Sequence, residues 1–275
     1  MSREFLFLQK TIIMNSSLLY QTPALLIVSI LFILMILTNA VAHKLKLSHI
    51  AKNKFEHSDG LGPVEGSLLG LLALLLSFTF SLSASRYDDR RQVVIEEANA
   101  IGTAILRCDL YPDSIKKQLK SNFVNYVDAR IQYFEAGIDV AKITIAKKKT
   151  EEYYTKIWNL ATDKSQKSEN VLRFQQMIPA LNSMIDIVTT REETKNATVP
   201  ESIFWLLFML ILSSSFIIGY SDSKKQINYV LIWGYCLMTC LTLYLILDLD
   251  RPRRGLIDVD HSEQKIVELK EILKP

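Results

Sequence analysis

Residues 62–91 read GPVEGSLLGLLALLLSFTFSLSASRYDDRR. No charged residue interrupts the run between Glu65 and Arg86, and leucine dominates it. An apolar stretch of about 20 residues crosses the ~30 Å hydrocarbon core of a bilayer as a helix. In lipid a helix satisfies its own backbone hydrogen bonds, which an open strand cannot do. Pro63 suits a first helical turn, where its missing N–H is no loss. No breaker follows, because Ser83-Ala84-Ser85-Arg86 is good helix sequence. One helix is therefore expected from Val64 to Leu110. At about 1.5 Å per residue it would reach roughly 70 Å, about 40 Å past the membrane core. Such a helix would couple membrane and soluble parts mechanically.

Working outward, residues 11–42, 202–221 and 226–247 also lack Asp, Glu, Lys and Arg. The spans read as Thr22–Ala42, Val64–Ser85, Ser202–Tyr220 and Ile227–Leu247. The expected fold is an all-α membrane protein with four transmembrane helices and an extended helical soluble insert between spans two and three. Its divisions are residues 1–85 (N-terminal segment and first transmembrane hairpin), 86–200 (insert), 201–248 (second hairpin) and 249–275 (tail). The 275 residues are 49% hydrophobic and 22% charged, averages that hide this partition. A net charge of +3 is too small to imply a polyanionic partner, so no nucleic acid is expected.

Residues 1–42 could also be read as a signal peptide ending at Ala40-Val41-Ala42, but the apolar stretch Leu18–Val41 is too long for its core. Cys108, Cys236 and Cys240 are an odd, scattered set without a disulfide framework. No His, Cys or carboxylate spacing suits a metal. No phosphate-cradling glycine loop, nucleophile elbow or zinc-protease motif occurs. Catalytic residues, metal and cofactor are therefore all expected to be none.

The insert reads as helices over 86–110, 112–136, 139–163 and 167–195. Val94, Ala98, Ile101, Ile105 and Cys108 form one apolar seam, and Val171, Phe174, Ile178, Leu181, Ile185 and Val188 another. Ile115, Leu119, Phe123, Val127 and Ile131 step by four along the 112–136 helix. Tyr153, Tyr154, Ile157, Trp158 and Ala161 share a face of the 139–163 helix. Pro179 falls inside an apolar run, where a kink is expected.

Three features of this chain are candidates for function. Gly66, Gly70, Ala73, Ser77, Ser81 and Ala84 share one face of span two, opposite Leu68, Leu72, Leu75, Thr79 and Leu82. A small face permits close helix packing in lipid, and a small, hydroxyl-bearing face can line a watery pore. Gly70, Ala73, Ser77 and Ser81 are the pore-lining candidates. Arg86, Asp88 and Arg91 follow as pore-mouth charges; Asp88 and Arg91 continue that face. Asp248, Asp250, Arg251, Arg253 and Arg254 bracket the end of span four, and their mixed signs suggest pairing with another charged segment, such as Arg90, Arg91, Glu96 or Glu97.

Three stretches resemble the bacterial bestrophin-like family of four-span membrane proteins: Gly62–Phe80; Ser85–Arg91 with Glu96–Ala104; and Leu247–Gly255. With the span layout the resemblance covers about 45–255. It implies a pentameric channel passing anions, a pore lined by span two, and both termini and the insert on the cytoplasmic side of a bacterial inner membrane. Positive charge flanking the spans does not fix that orientation by itself. The acidic calcium clasp of bestrophins has no evident counterpart here. Phe78 and Phe80 are candidates for the bestrophin neck, although Phe78 lies off the small face. The expected partners are the lipid bilayer, further copies of the chain and anions. The alternative is a membrane-anchored structural or signalling module whose insert binds a protein, with Lys147-Lys148-Lys149 and the Tyr153/Tyr154/Trp158 face as contacts.

Overall fold

The computed structural model describes residues 18–52, 62–163, 171–221, 229–251 and 260–273. Arg253 and Arg254 lie outside them. Among the described residues the chain is helical throughout, without a strand. In order come α1 (Leu18–Gln21), α2 (Ala24–Lys52), α3 (Gly62–Arg107), a 3-10 turn (Cys108–Leu110), α4 (Asp113–Glu135), α5 (Val140–Ala161), α6 (Val171–Asn196), α7 (Glu201–Ser221), α8 (Tyr229–Asp250) and α9 (Asp260–Ile272). Four stretches are long and apolar enough to cross a membrane: Ala24–Ala51, Gly62–Leu110, Val171–Ser221 and Tyr229–Asp250. The apolar part of the third is α7. The unbroken helix expected from span two is present as α3.

The described residues fall into two compact units, those within 1–85 and 198–251, and those within 86–197 and 252–275. In the first, α2 packs along α7 and α8 more closely than those sequence neighbours pack on each other. This differs from a pairing of spans one with two and three with four, and its cause is local. Gly219 lets α7 approach α2 so closely that any Cβ there would collide with the Asn39 carbonyl. Asn39 Nδ2 donates to the Ser215 carbonyl at 3.1 Å, and Ser215 Oγ donates to the Met35 carbonyl at 2.7 Å. Lipid tails give no hydrophobic drive between helices, so close packing and such bonds hold a bundle together. Met35, Phe204, Leu207, Ile211, Cys236 and Leu243 form the centre, and Leu72, Leu75 and Leu76 of α3 pack on it.

In the second unit, all five residues of the first predicted seam, Val94, Ala98, Ile101, Ile105 and Cys108, are buried. Leu119, Phe123 and Val127 of α4 are buried against them, with Ile115 and Ile131 at the margin. Each fully buried apolar side chain here contributes about 1.5–3 kcal/mol. On α6 the buried stripe is Met177, Ala180, Leu181, Met184 and Arg191, whereas Val171 and Ile185 of the predicted seam are exposed. Two apolar stripes compete on that helix, and the methionines, flexible enough to fill irregular gaps, take the core. The helix continues through Pro179. Between α4 and α5 the chain turns at Gly137, whose φ of 53° favours glycine. Asp139 then caps α5, its carboxylate accepting from the Ala141 and Lys142 amides. The final helix, α9, seats Ile266 and Leu269 in this core, and Lys270 pairs with Asp128 at 2.6 Å.

Candidate pore face and charged clusters

Within α3 the two faces differ in exposure as well as composition. Leu72, Thr79 and Ser83 are buried, while Gly66, Gly70, Ala73, Ser77 and Ser81 are exposed. A Cβ built at Gly66 or Gly70 would meet nothing within 4 Å. Ala84 is half-buried, and Leu82, expected on the opposite face, is 38% exposed. The exposed side also carries Phe78 and Phe80 at 63% and 40%. Past the apolar run, Asp88 and Arg91 are exposed. Arg86 is half-buried, and its Nε meets no acceptor.

At the end of α8 the boundary residues are buried: Asp248 at 3%, Asp250 at 0% and Arg251 at 4% exposure. Both Asp250 oxygens accept from the Val199 amide, at 3.0 and 3.1 Å, and the Tyr20 hydroxyl lies 2.8 Å from Oδ2. Val199 lies two residues before α7, outside its hydrogen-bond ladder, so its buried amide needs an acceptor from elsewhere. Arg251 donates to the carbonyls of Thr22 and Leu19 at 2.6 and 2.5 Å. Asp250 and Arg251 thus tie α1, the entry to α2 and the entry to α7 to the end of α8. Asp250 takes a backbone amide and sits beside the Tyr20 phenol, whose hydroxyl also lies 2.7 Å from the Val199 carbonyl.

A third cluster sits in the second unit. Glu97 is fully buried between Arg130 and Arg191. Arg130 Nε donates to its Oε1 at 2.5 Å, and Arg191 donates to its Oε2 at 2.6 Å. The guanidiniums rest on aromatic rings, Arg130 4.8 Å from Tyr133 and Arg191 3.9 Å from Phe134. Burial works to raise the Glu97 pKa, but the two arginines outweigh it and hold the carboxyl below its usual range. Beside it, Glu192 accepts from the Tyr133 hydroxyl at 2.5 Å and from Lys147 at 2.8 Å. Burial opposes ionisation of Glu192 too, and the Lys147 bond leads the groups that bring its pKa down. Glu97 joins α3, α4 and α6; Glu192 joins α4, α5 and α6.

These clusters bear on the sequence expectations. Lys147 is committed to Glu192, and Lys149 donates to Gln132 at 3.0 Å. Tyr153, Tyr154 and Trp158 are half-buried against the core, with Tyr154 and Trp158 stacked. Glu97 stood out in sequence only as part of a charged run beside Glu96, which is exposed. The signal that separates them is phase: Glu97 falls between the seam residues Val94 and Ala98 and shares their buried side of the helix. Among the described residues no three His, Cys, Asp or Glu side chains gather as a metal site.

Comparison with known proteins adds three findings. A family model described as Bestrophin-like domain matches residues 29–263. A crystal structure of a bacterial bestrophin homologue from Klebsiella pneumoniae, bearing a point substitution, superposes with a TM-score of 0.65. It is 13% identical, and the match covers 88% of this chain and 98% of that one. A second crystal structure, of a point variant described as a membrane protein, gives a TM-score of 0.60 at 12% identity and the same coverage. At such identities the two structures speak for the fold. No curated protein sequence matches the chain.

Proposed function

The chain belongs to the bestrophin-like family, and from that premise we propose that it is one subunit of a homo-oligomeric ion channel. The small face of α3 lines the pore, and the conducted ions are anions. The observation that carries this reading is the exposure of Gly66, Gly70, Ala73, Ser77 and Ser81 along a helix that packs on the bundle through Leu72, Leu75 and Leu76. Four spans in one chain enclose no wide axial channel, so such a face needs further copies to become a pore. Around a shared axis it would present rings of Ser77 and Ser81 hydroxyls, and small side chains leave the lumen open.

Each copy would add Arg86, Asp88 and Arg91 at the mouth. Repeated around the axis, two arginines against one aspartate leave an excess of positive charge, which favours anions. The ring is a pentamer in a bacterial inner membrane, with the insert and both termini cytoplasmic. The Asp250–Val199 and Arg251–Leu19 ties brace the subunit rather than take part in conduction. Catalysis has no place in this reading.

Chloride efflux from liposomes holding the purified chain tests the proposal. Ser77→Leu with Ser81→Leu is expected to cut efflux while size-exclusion behaviour stays unchanged. Unchanged efflux would remove both serines from the pore, and absence of efflux from the unsubstituted chain would remove the channel.

A further inference from the structure

The first spanning helix is longer than a membrane is thick. α2 holds 29 residues, and at about 1.5 Å each it exceeds the ~30 Å hydrocarbon core by roughly 13 Å. The excess lies at its C-terminal end. The run without charge stops at Ala42, and residues 43–54 hold four lysines, two histidines and no Asp or Glu. Lys46 marks the depth of this end. Its Nζ donates at 2.9 Å to the carbonyl of Ser221, the last residue of α7, and lies 6.0 Å from the Tyr220 ring. Both helices therefore leave the apolar layer at this level.

Lys46 continues the side of α2 that meets α7 through Met35 and Asn39. Lys44 is two residues earlier, about 200° round the helix, and so points away from α7. It is exposed, and α2 carries no carboxylate to offset it. Basic residues also complement the dipole at a helix C-terminus, but that effect is confined to the last turn. Lys44 stands two turns before the end of α2, beyond its reach. Around Lys44 the large aliphatic side chains of Leu45, Leu47 and Ile50 are exposed too. Standing in water they would forgo the gain of burial. At a membrane surface such side chains sink about 5–10 Å into the boundary between headgroups and acyl chains, while a lysine stem carries its ammonium up to the phosphates. Phosphatidylcholine brings its own cation beside the phosphate, so an unbalanced positive surface favours a lipid with net negative charge. We propose that residues 43–52 of α2 form a docking surface for anionic phospholipid headgroups, with the Lys44 ammonium on the phosphodiester and Leu45, Leu47 and Ile50 at the acyl boundary. The inference needs the chain to span a membrane and does not depend on conduction.

Native mass spectrometry of the full chain tests it, with equal amounts of dioleoyl phosphatidylglycerol and dioleoyl phosphatidylcholine added in detergent. Phosphatidylglycerol is expected to be retained in preference. One lysine at an anionic lipid surface is worth about fivefold in affinity, so Lys44→Gln should cut that preference by about this factor. Lys44→Arg should keep it, and Lys148→Gln, which removes an exposed charge from the insert, should leave it unchanged. Added inorganic phosphate should displace none of the bound lipid, which separates a headgroup held with its chains from free phosphate. Equal retention of the two lipids by the unsubstituted chain would overturn the proposal, and that comparison stands even if Lys44→Gln fails to fold. An equal loss in Lys148→Gln, or displacement by phosphate, would overturn it as well.

Discussion

Replacing Glu97 by glutamine leaves Arg130 and Arg191 buried with no carboxylate between them. Arg130 is 2% exposed, so it has no route to water without opening α3, α4 and α6. Breaking a buried pair by removing one partner costs about 3–5 kcal/mol. Arg191 can relax outward from its 8% exposure, and glutamine still accepts one hydrogen bond, which places the loss near the lower end, about 3 kcal/mol. At about 2–4 °C per kcal/mol, the insert should melt roughly 10 °C lower. Cys108 supplies the assay. Its thiol is buried, and burial pushes its pKa up to about 12, so maleimide should reach it only when the insert opens. Peptide mapping separates it from Cys236 and Cys240. The arginines hold the folded Glu97 pKa below its usual value of 4.5. The stabilisation is therefore complete above the unfolded pKa and fades as pH falls through the folded one. The gap between the two proteins should stay constant near neutral pH and narrow as acid takes the pH through the lowered Glu97 pKa. Glu96→Gln, on the exposed side, should leave the transition in place. Unchanged Cys108 opening in Glu97→Gln would refute the reasoning.

Other consequences are separable. Gly219→Ala sets a Cβ against the Asn39 backbone and should destabilise the membrane bundle by about 1–3 kcal/mol, read by thermal aggregation in detergent, whereas Gly70→Ala should not shift that transition. Asp250→Ala strands the Val199 amide and costs about 1–3 kcal/mol, with faster proteolysis between α6 and α7 as the readout. Lys270→Glu repels Asp128 and should loosen α9, seen as faster amide exchange over 260–272; equal exchange would separate that pair from docking of the helix. If Arg86 and Arg91 set the preference for anions, Arg86→Gln with Arg91→Gln should move the reversal potential in a chloride gradient toward zero.

How far the sequence was legible follows from the range of each interaction. The four spans and the unbroken α3 are written in consecutive residues, because lipid demands an uncharged run and a helix needs no distant partner. The seam Val94–Cys108 was legible for the same reason, being periodic within one helix. On α6 two apolar stripes compete, and only the partner helices choose between Val171/Ile185 and Met177/Met184. Glu97 was opaque in another way, since Arg130 and Arg191 lie 33 and 94 residues away in sequence. Asp250 was opaque because one partner is a backbone amide, a donor every residue but proline carries.

The account rests on copies of the chain closing a ring around the exposed face of α3. Native mass spectrometry of the purified protein, released from a membrane mimetic, tests this most directly. The account predicts a single assembly of five times the 31.5 kDa chain mass. A stable single chain of that mass, under conditions where the four-span bundle remains folded, would contradict it.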